Sequence, residues 1–506
     1  MSNLYTVEEL RGIEALALAE LPPGTLMQRA GKEAAELALR ILSSRHEKAN
    51  VLVLAGPGNN GGDALEMAIV LAENRVNVSV LQLSSRKPQT EESRLARKRA
   101  INTAIRWEDA LSLQDTIKSL PARQWDLIVD GMFGIGLKEP LDGSRFQLAE
   151  IVNAADCPVI ALDVPSGLNA DTGSIYGKNG IAVKATHTIT FLGNKPGLYT
   201  HLGKDYAGQV HHVWLGVDES RFPSPSRWLN QPALFSVMLR KRLHDTHKGT
   251  YGRLAILGGA KGMSGAMVLA ARAALYCGAG LIYAVYLKDP PQHDAMQPEL
   301  MYRAAHHFDF SSVISVIGPG LGTSKAAQNF VKDIMELHLP LVLDADALNN
   351  ISEEVPLQQI LENRRGPTIL TPHPLEAARL LKTTTEKVQS DRLSAANELA
   401  RRFNAVVALK GSGTVIADHD GKTAINPTGG PALATPGTGD VLSGICGALL
   451  AQGWPAWETT LAAVWLHGAA ADELVKRGEG PLGLTAGELI PEVRRILNRL
   501  VNEYNP

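Results

Sequence analysis

The stretch VLVLAGPGNNGGDALEMA, residues 51–68, decides the fold. Its five apolar residues, Val51 to Ala55, have the length of a buried strand. Gly56-Pro57-Gly58-Asn59-Asn60-Gly61 then reads as a turn, and an apolar pattern at helical spacing follows. Strand, glycine turn and helix in this order open a βαβ unit, and the turn formally satisfies G-x-G-x-x-G. A dehydrogenase site would also need a carboxylate about 20 residues on, at the end of the second strand, to grip the ribose hydroxyls. That region reads VSVLQLSSRKPQ and offers Gln82, Ser84 and Ser85 but no carboxylate. NNGGD also carries more side-chain amide and carboxylate than a pyrophosphate cradle requires. A hydride-transfer enzyme is disfavoured, although the backbone N–H groups at the helix start can still hold phosphate.

Outward from this stretch, the chain of 506 residues is long enough for two or three domains with cores of their own. A formal net charge of −2 leaves no basic footprint for nucleic acid and no polybasic membrane patch. The three cysteines, Cys157, Cys277 and Cys446, are far apart and form no C-x-x-C pair, which fits a reducing cytoplasm. The start, MSNLYTVEELRG, lacks the basic and apolar regions of a secretory signal and reads as a helix capped by Thr6, with Glu9 closing a capping box. No apolar run approaches the roughly 20 residues of a spanning helix. A cytoplasmic globular protein is expected.

Composition shifts near Phe222, where RFPSPSRWLNQP is rich in proline and serine. A linker is expected over 223–234, between domains at 1–222 and 235–506, followed by a basic helical stretch through LRKRLHDTHKGTYG. Within each half, short apolar runs alternate with amphipathic segments, the signal of a parallel sheet flanked by helices. Strands are expected at 51–55, 76–83, 127–129, 159–162 and 186–191, then at 254–257, 281–285, 313–317, 341–343, 368–370 and 405–409. Helices fit MQRAGKEAAELALRIL, DALEMAIVLAEN, GAMVLAARAALYCG, PLEAARLLK, DRLSAANELARRF and DVLSGICGALLAQG.

In an open parallel sheet, ligands bind outside the carboxyl ends of the strands. DLIVDGMFGIGL ends its apolar run at Asp130, and PVIALDVPSGL ends at Asp163 and leads to Ser166. Asn59, Asn60, Asp63, Asp130, Asp163 and Ser166 should therefore converge on one crevice. Hard oxygen donors of this kind suit an alkali or alkaline-earth cation better than zinc. A strand-end Asp can also simply cap the next turn; three strand ends entering Gly or Pro turns in one half favour a site.

The second half has glycine turns in ILGGAKGMSGAM, VIGPGLGTS, LKGSGTVIAD and NPTGGPALATPGTGDVLSG, none of which matches the P-loop pattern G-x-x-x-x-G-K-S/T. The last feeds a helix beginning near Asp440, setting N–H groups and a positive dipole end beside a carboxylate. That suits a transferred phosphoryl group while Asp440 takes a hydroxyl proton; the plainer alternative is Asp440 as a helix N-cap. His373 stands at a strand end before a helix at Pro374, Asp344 and Asp346 repeat the strand-end carboxylate pattern, and Lys410 ends another strand. Cys446 is expected to be buried on the Asp440 helix.

AGPGNNGGDALEMA, DGMFGIGL and LDVPSGLNADTG, with the upstream LMQRAG, resemble the NAD(P)H-hydrate epimerase domain over about residues 4–217. The resemblance implies a Rossmann-like three-layer α/β/α domain that binds a hydrated nicotinamide nucleotide and K+ and interconverts its two epimers. It implies substrate contacts from Asn59, Asn60, Gly61, Gly62 and Asp63 and from the turn Gly134, Ile135, Gly136, Leu137, Lys138, Glu139 and Pro140. Asn60, Asp130 and Ser166 would hold K+, and Asp163 would meet the nicotinamide end as general acid/base. Ala64 departs from the glycine often found there.

GPGLGTS, LDADALN, TPHPLEAARL, LKGSGT and PGTGDVLSG resemble the NAD(P)H-hydrate dehydratase domain, with its ribokinase-like α/β fold, over about 235–500. The implied reaction uses ADP to remove water from the S epimer, restoring NADH or NADPH and releasing AMP and phosphate. Ala266, Gly320, His373 and Asp440 would contact the hydrate, with Asp440 the base. Lys410, Gly411, Ser412, Gly413, Thr414 and Gly439 would bind the AMP portion, and Mg2+ would bridge the nucleotide phosphates through ligands the sequence does not identify. GGPALATPGTGD departs from the family form at Gly430, Ala432-Leu433 and Pro436. The expected partners are small-molecule nucleotides, with no nucleic acid or membrane, and a homo-oligomer is expected. Alternatives are a ribokinase-like vitamin or sugar kinase carrying a regulatory nucleotide-binding domain, or a first half that senses nucleotide without catalysis.

Overall fold

The computed structural model describes residues 2–83, 90–108 and 112–505. Ser84 and Ser85, weighed above for ribose recognition, lie outside the described residues. The chain forms two compact units, Ser2–Pro225 and Ser226–Pro506.

The strands of the first unit are β1 Asn50–Ala55, β2 Asn77–Gln82, β3 Arg106–Trp107, β4 Leu127–Gly131, β5 Val159–Leu162, β6 His187–Phe191 and β7 Gln209–Val213. All are parallel, in the order β3-β2-β1-β4-β5-β6-β7. Strand order reverses between β1 and β4, so the crevice beyond their carboxyl ends is where a sheet of this kind takes a ligand. Side chains alternate between faces. Val51, Val53 and Ala55 join the core that also holds residues of helices Thr25–Leu42 and Asn59–Glu73, whereas Leu52 and Leu54 join the core with helix Gly143–Asn153. Burial on both faces is why this strand reads as an unbroken apolar run. Thr6 caps helix Val7–Leu18 as expected, and the Glu9 carboxylate accepts from the Thr6 N–H at 2.7 Å. The two edge strands escaped the sequence reading because β3 is two residues long and β7, QVHHV, carries two half-buried histidines where an apolar run was sought.

The second unit contains β8 Arg227–Leu229, β9 Arg253–Gly258, β10 Leu281–Tyr286, β11 Met301–Ala304, β12 Ile314–Ile317, β13 Leu341–Leu343, β14 Thr368–Leu370, β15 Val406–Leu409, β16 Val415–Ala417 and β17 Thr423–Ile425. They form one sheet in the order β11-β10-β9-β12-β13-β14-β15-β16-β17-β8. Neighbours from β11 to β15 are parallel, and β16 is antiparallel to both β15 and β17. Order reverses between β9 and β12. The expected tandem of a Rossmann-like domain and a ribokinase-like α/β domain is what these two sheets form.

Two expectations need correcting. The stretch read as a linker over 223–234 is a connector only in part: β8 pairs with β17, and the buried Asn230 side chain donates to Asn426 Oδ1 and the Leu461 carbonyl, both at 2.9 Å. LRKRLHDTHKGTYG contains a single 3-10 turn, Lys248–Tyr251, and no α-helix. Leu243 there is 74% exposed, so no apolar stripe exists to dock a helix, and the His247 ring accepts from the Gly249 N–H in a turn.

Helix Thr438–Ala451 lies over the reversal point, where a Cβ on Gly447 would come within 2.4 Å of Val316 Cγ2 and 3.1 Å of Leu254 Cδ1. Helix Ser264–Tyr276 crosses it closely: a Cβ on Gly444 would stand 2.2 Å from the Ala270 carbonyl oxygen. Backbone blocks that position, so the helices would have to part. Gly444→Val should therefore destabilise the protein by about 1–3 kcal/mol and lower its melting temperature by several degrees in scanning calorimetry.

Candidate functional site

In the first unit the expected glycine turn is shorter than its sequence suggests. Helix Asn59–Glu73 starts with Gly58 as N-cap, so Asn59 to Asp63 open it; the N–H groups of Asn59, Asn60 and Gly61 lack helical partners, while that of Gly62 donates to the Gly58 carbonyl at 3.1 Å. Gly61 is required there, because a Cβ would lie 1.8 Å from the Gly56 carbonyl oxygen. Asn59 Oδ1 accepts from Thr90 Oγ1 at 2.7 Å. Asn60 is 9% exposed, and neither its Oδ1 nor its Nδ2 has a hydrogen-bond partner among the described residues.

Asp130, near the end of β4, is fully buried. Its Oδ1 accepts from Ser166 Oγ at 2.6 Å and its Oδ2 from the Ser166 N–H at 2.8 Å. Burial pushes its pKa up to about 6, against the lowering effect of these bonds and of the Met132 N–H. Asp163, just beyond β5, has φ +65°, a left-handed conformation that Asp tolerates better than most residues. The Lys195 ammonium donates to Asp163 Oδ1 at 2.5 Å and to the Phe191 carbonyl at 2.8 Å. Gly134 joins these groups: a Cβ there would lie 3.2 Å from Asp163 Oδ2 and 3.4 Å from Asn60 Oδ1. Asp63 is raised well above the usual carboxylate range by burial and by the like charges of Asp163, Glu14, Glu92 and Glu66.

The expected residues Asn60, Gly134 and Asp163 thus meet, and Asp130 and Ser166 bond directly to each other. Gly136, Lys138, Glu139 and Pro140 are exposed on the outer part of their turn, with Ile135 and Leu137 half-buried between them. Sequence reasoning missed Lys195 and Glu14. Lys195 sits in LGNKPG, a glycine turn after β6 of the same kind that flagged Asp130 and Asp163; a search for cations as well as carboxylates at strand ends would have found it. Glu14 lies on helix Val7–Leu18, with no signal to mark it.

In the second unit, Gly320 has φ +58°, and a Cβ there would lie 2.4 Å from the carbonyl oxygen of Met263, which also accepts from the Ala266 N–H at 3.4 Å. Ala266 and Gly320 are therefore neighbours at the β9/β12 reversal. Helix Thr438–Ala451 begins two residues earlier than expected, with Gly437 (φ +91°) as N-cap and Asp440 the third helical residue, so capping is not the role of Asp440. Burial, then the like charge of Asp344, raises the Asp440 pKa to about 6, while Lys410 opposes the shift.

Lys410 opens the hairpin loop between β15 and β16. Its ammonium donates to the buried Asp344 Oδ1 at 2.8 Å and stands 3.4 Å from where a Gly439 Cβ would be. Burial works to lower its pKa, but Asp344, Glu376 and Asp440 hold it above the ordinary lysine value. Lys410 thus faces the helix start and its carboxylates, while Gly411 and Ser412 are the exposed part of the loop. His373 caps helix Pro374–Leu380: its Nδ1 accepts from the Leu375 and Glu376 N–H groups, and its Nε2 lies 3.2 Å from Glu376 Oε1. Burial lifts Glu376 to about 7. Cys446 is fully buried as expected.

Two α/β units, each with a largely buried lysine–aspartate pair and further carboxylates beyond the carboxyl ends of its strands, define a protein with two separate candidate active sites. A family model described as NAD(P)H-hydrate dehydratase matches residues 254–494, and one described as YjeF-related protein N-terminus matches residues 23–197. The bifunctional NAD(P)H-hydrate repair enzyme Nnr of Coxiella burnetii is 38% identical, covering 98% of this chain and 100% of its own. That of Escherichia coli K12 is 36% identical over 95% of this chain and 90% of its own. A solved ADP/ATP-dependent NAD(P)H-hydrate dehydratase from Bacillus subtilis covers 54% of this chain and 98% of its own at 30% identity, with a TM-score of 0.47. The chain belongs to the bifunctional NAD(P)H-hydrate repair enzyme family. No helix among the described residues is long and apolar enough to cross a membrane.

Asp344→Asn removes the direct partner of a largely buried ammonium. It should cost about 3 kcal/mol in urea unfolding, the scale for breaking a buried ion pair from one side.

Proposed function

We propose that the first unit interconverts the R and S forms of hydrated NADH and NADPH, and that the second removes water from the S form with ADP, releasing AMP and phosphate. The reading is carried by one observation: beyond the strand ends of each sheet stands an aspartate beside a lysine, Asp163 bonded to Lys195 after β5 in one, and Asp440, facing Lys410 from the start of the helix over the β9/β12 reversal, in the other. Relatives named for this repair, similar over nearly the whole chain, support it.

In the first unit, Asn59 to Asp63 and Gly134 to Pro140 contact the hydrated nucleotide; Asp163 takes the proton from the hydroxyl as the ring C–N bond to the hydrated carbon opens to an aldehyde, and returns it to that oxygen when the nitrogen closes on the other face. Potassium fits beside Asn60, Asp130 and Ser166: the buried Asn60 amide oxygen is unpartnered among the described residues, and the other two add hard oxygens. Bound there, it supplies positive charge to an acidic crevice.

In the second unit, Ala266, Gly320 and His373 frame the hydrate, while Lys410 to Thr414 and Gly439 hold the AMP portion. Asp440 takes the hydroxyl proton as the β-phosphoryl group of ADP passes to that oxygen, and AMP departs with the bridging oxygen. Phosphate then leaves with the former hydroxyl oxygen, and loss of a neighbouring proton restores the ring double bond. The N–H groups and dipole at the start of helix Thr438–Ala451 are suited to the phosphoryl charge. Mg2+ would supply positive charge to the transferred phosphoryl group. The same reading takes the working form to be a cytoplasmic homo-oligomer, which sedimentation of the purified chain tests.

The test is a repair assay on mixed-epimer NADH hydrate with ADP, Mg2+ and K+, followed by the return of NADH absorbance. The wild type should convert all of it, Asp163→Asn should stop near the S fraction, and Asp440→Asn should return none; no return in the wild type with either ADP or ATP would refute the proposal. Asp440 must be ionised to act as a base and its pKa is raised to about 6. The kcat/KM for dehydration should accordingly fall about tenfold per pH unit below that value and level off above it. Potassium at about 100 times its Kd should stabilise the wild type by roughly 2.7 kcal/mol, visible as a rise in melting temperature over choline chloride that Asn60→Ala abolishes.

A further inference from the structure

The Lys195 ammonium is an unusual object: it is 1% exposed, sits 32 residues along the chain from its partner, and bonds to a residue with left-handed backbone. It reaches Asp163 from the turn after β6, whereas Asp163 follows β5. A second bond to the Phe191 carbonyl fixes the ammonium from behind, and the Asp163 N–H is tied to the Ile189 carbonyl at 2.7 Å. The two Asp163 oxygens are therefore not equivalent. Oδ1 is taken by Lys195; Oδ2 lies on the side of Gly134, the residue that also borders the unpartnered Asn60 amide.

We infer that Lys195 is the positioning residue of epimerisation: by holding Asp163 Oδ1 it turns Oδ2 into the crevice as the oxygen that takes and returns the substrate proton. This rests on the epimerase site proposed above. The surroundings give Lys195 a second task. Glu14 and Glu92 bear on this crevice beside the Asp63 carboxyl that they help to raise, and Lys195 is the cation bonded to its central carboxylate. Without it, Asp163 would be free to rotate and would meet its acidic neighbours uncompensated. A lysine that merely pinned the LGNKPG turn would affect folding and substrate affinity together and leave the proton-transfer step alone. One that positions the base lowers turnover through Asp163 and through nothing else.

The experiment measures conversion of the R epimer of NADH hydrate by the full chain, with enough separately added dehydratase that epimerisation limits the rate. Lys195→Met should lower kcat about 100-fold or more, the scale for losing general acid/base catalysis, with KM within about threefold of wild type. Lys195→Gln keeps an N–H donor on a side chain one bond shorter and without the charge, so it should show part of that loss in a folded protein. The double variant Asp163→Asn/Lys195→Met should be no slower than Asp163→Asn alone, because both substitutions act on one carboxylate. A folded Lys195→Met or Lys195→Gln protein with wild-type kcat, or a double variant slowed by the product of the single effects, overturns the inference and leaves the epimerase assignment standing. A wild type that does not interconvert the epimers overturns both.

Discussion

A buried ammonium held by a buried or partly buried carboxylate sits at the carboxyl edge of each sheet, Lys195 on Asp163 and Lys410 on Asp344, and the rest of each site is arranged around it. Taking an ion out of water costs several kcal/mol even after relaxation, so neither partner is stable there alone. The pair in turn binds together turns that follow different strands. Lys195 joins the β6 turn to the β5 turn, and Lys410 joins the start of the β15–β16 loop to the end of β13. The parallel sheet brings these turns to one edge; the ion pairs fix how they meet.

The two units use the pair differently. In the first, the paired carboxylate is itself the proposed acid/base, so the lysine decides which oxygen is offered. In the second, the paired carboxylate is Asp344, and the proposed base, Asp440, stands beside the pair on the helix start. Burial and the charge of Asp344 raise Asp440 towards neutrality, and Lys410 restrains that rise. An aspartate so placed is ionised at neutral pH yet basic enough to accept a proton from a hydroxyl that is being phosphorylated. Backbone strain accompanies both sites, at Asp163 (φ +65°) in one and at Ala345 (φ +46°), beside Asp344, in the other, as expected where structure around a site over-determines an unfavourable conformation.

The central strands were legible because parallel strands buried on both faces leave continuous apolar runs, and β1, β5, β13 and β14 fall within a residue of where those runs put them. Strand-end carboxylates were legible because several of them close apolar runs in one half, although any single one could have been a turn cap. The edges were not: β3, β7, β11, β16 and β17 are short or half-exposed, and β8 lies in a stretch whose prolines argued for a linker. The strand-end glycine turn around Lys195 could have marked its position, but its role could not be read there, since its partner lies 32 positions away. His373 was legible as a residue at a helix start, but its capping box with Glu376 exists only in three dimensions.

The question posed by the first glycine turn, dehydrogenase or another chemistry, is decided by electrostatics more than by glycine spacing. A hydride-transfer site keeps its cofactor pyrophosphate over a helix start that is free of competing negative charge. Here the helix start at Asn59 is followed within one turn by Asp63, and Glu14, Glu92 and Asp163 bear on the same place, so that burial and mutual repulsion raise the Asp63 pKa strongly. A nucleotide polyanion entering such a crevice needs a further cation, and the unpartnered Asn60 amide beside the Asp130–Ser166 pair is the group positioned to share one. On the proposed reading, potassium bound there would offset part of the crevice's negative charge ahead of the phosphates of the hydrated nucleotide.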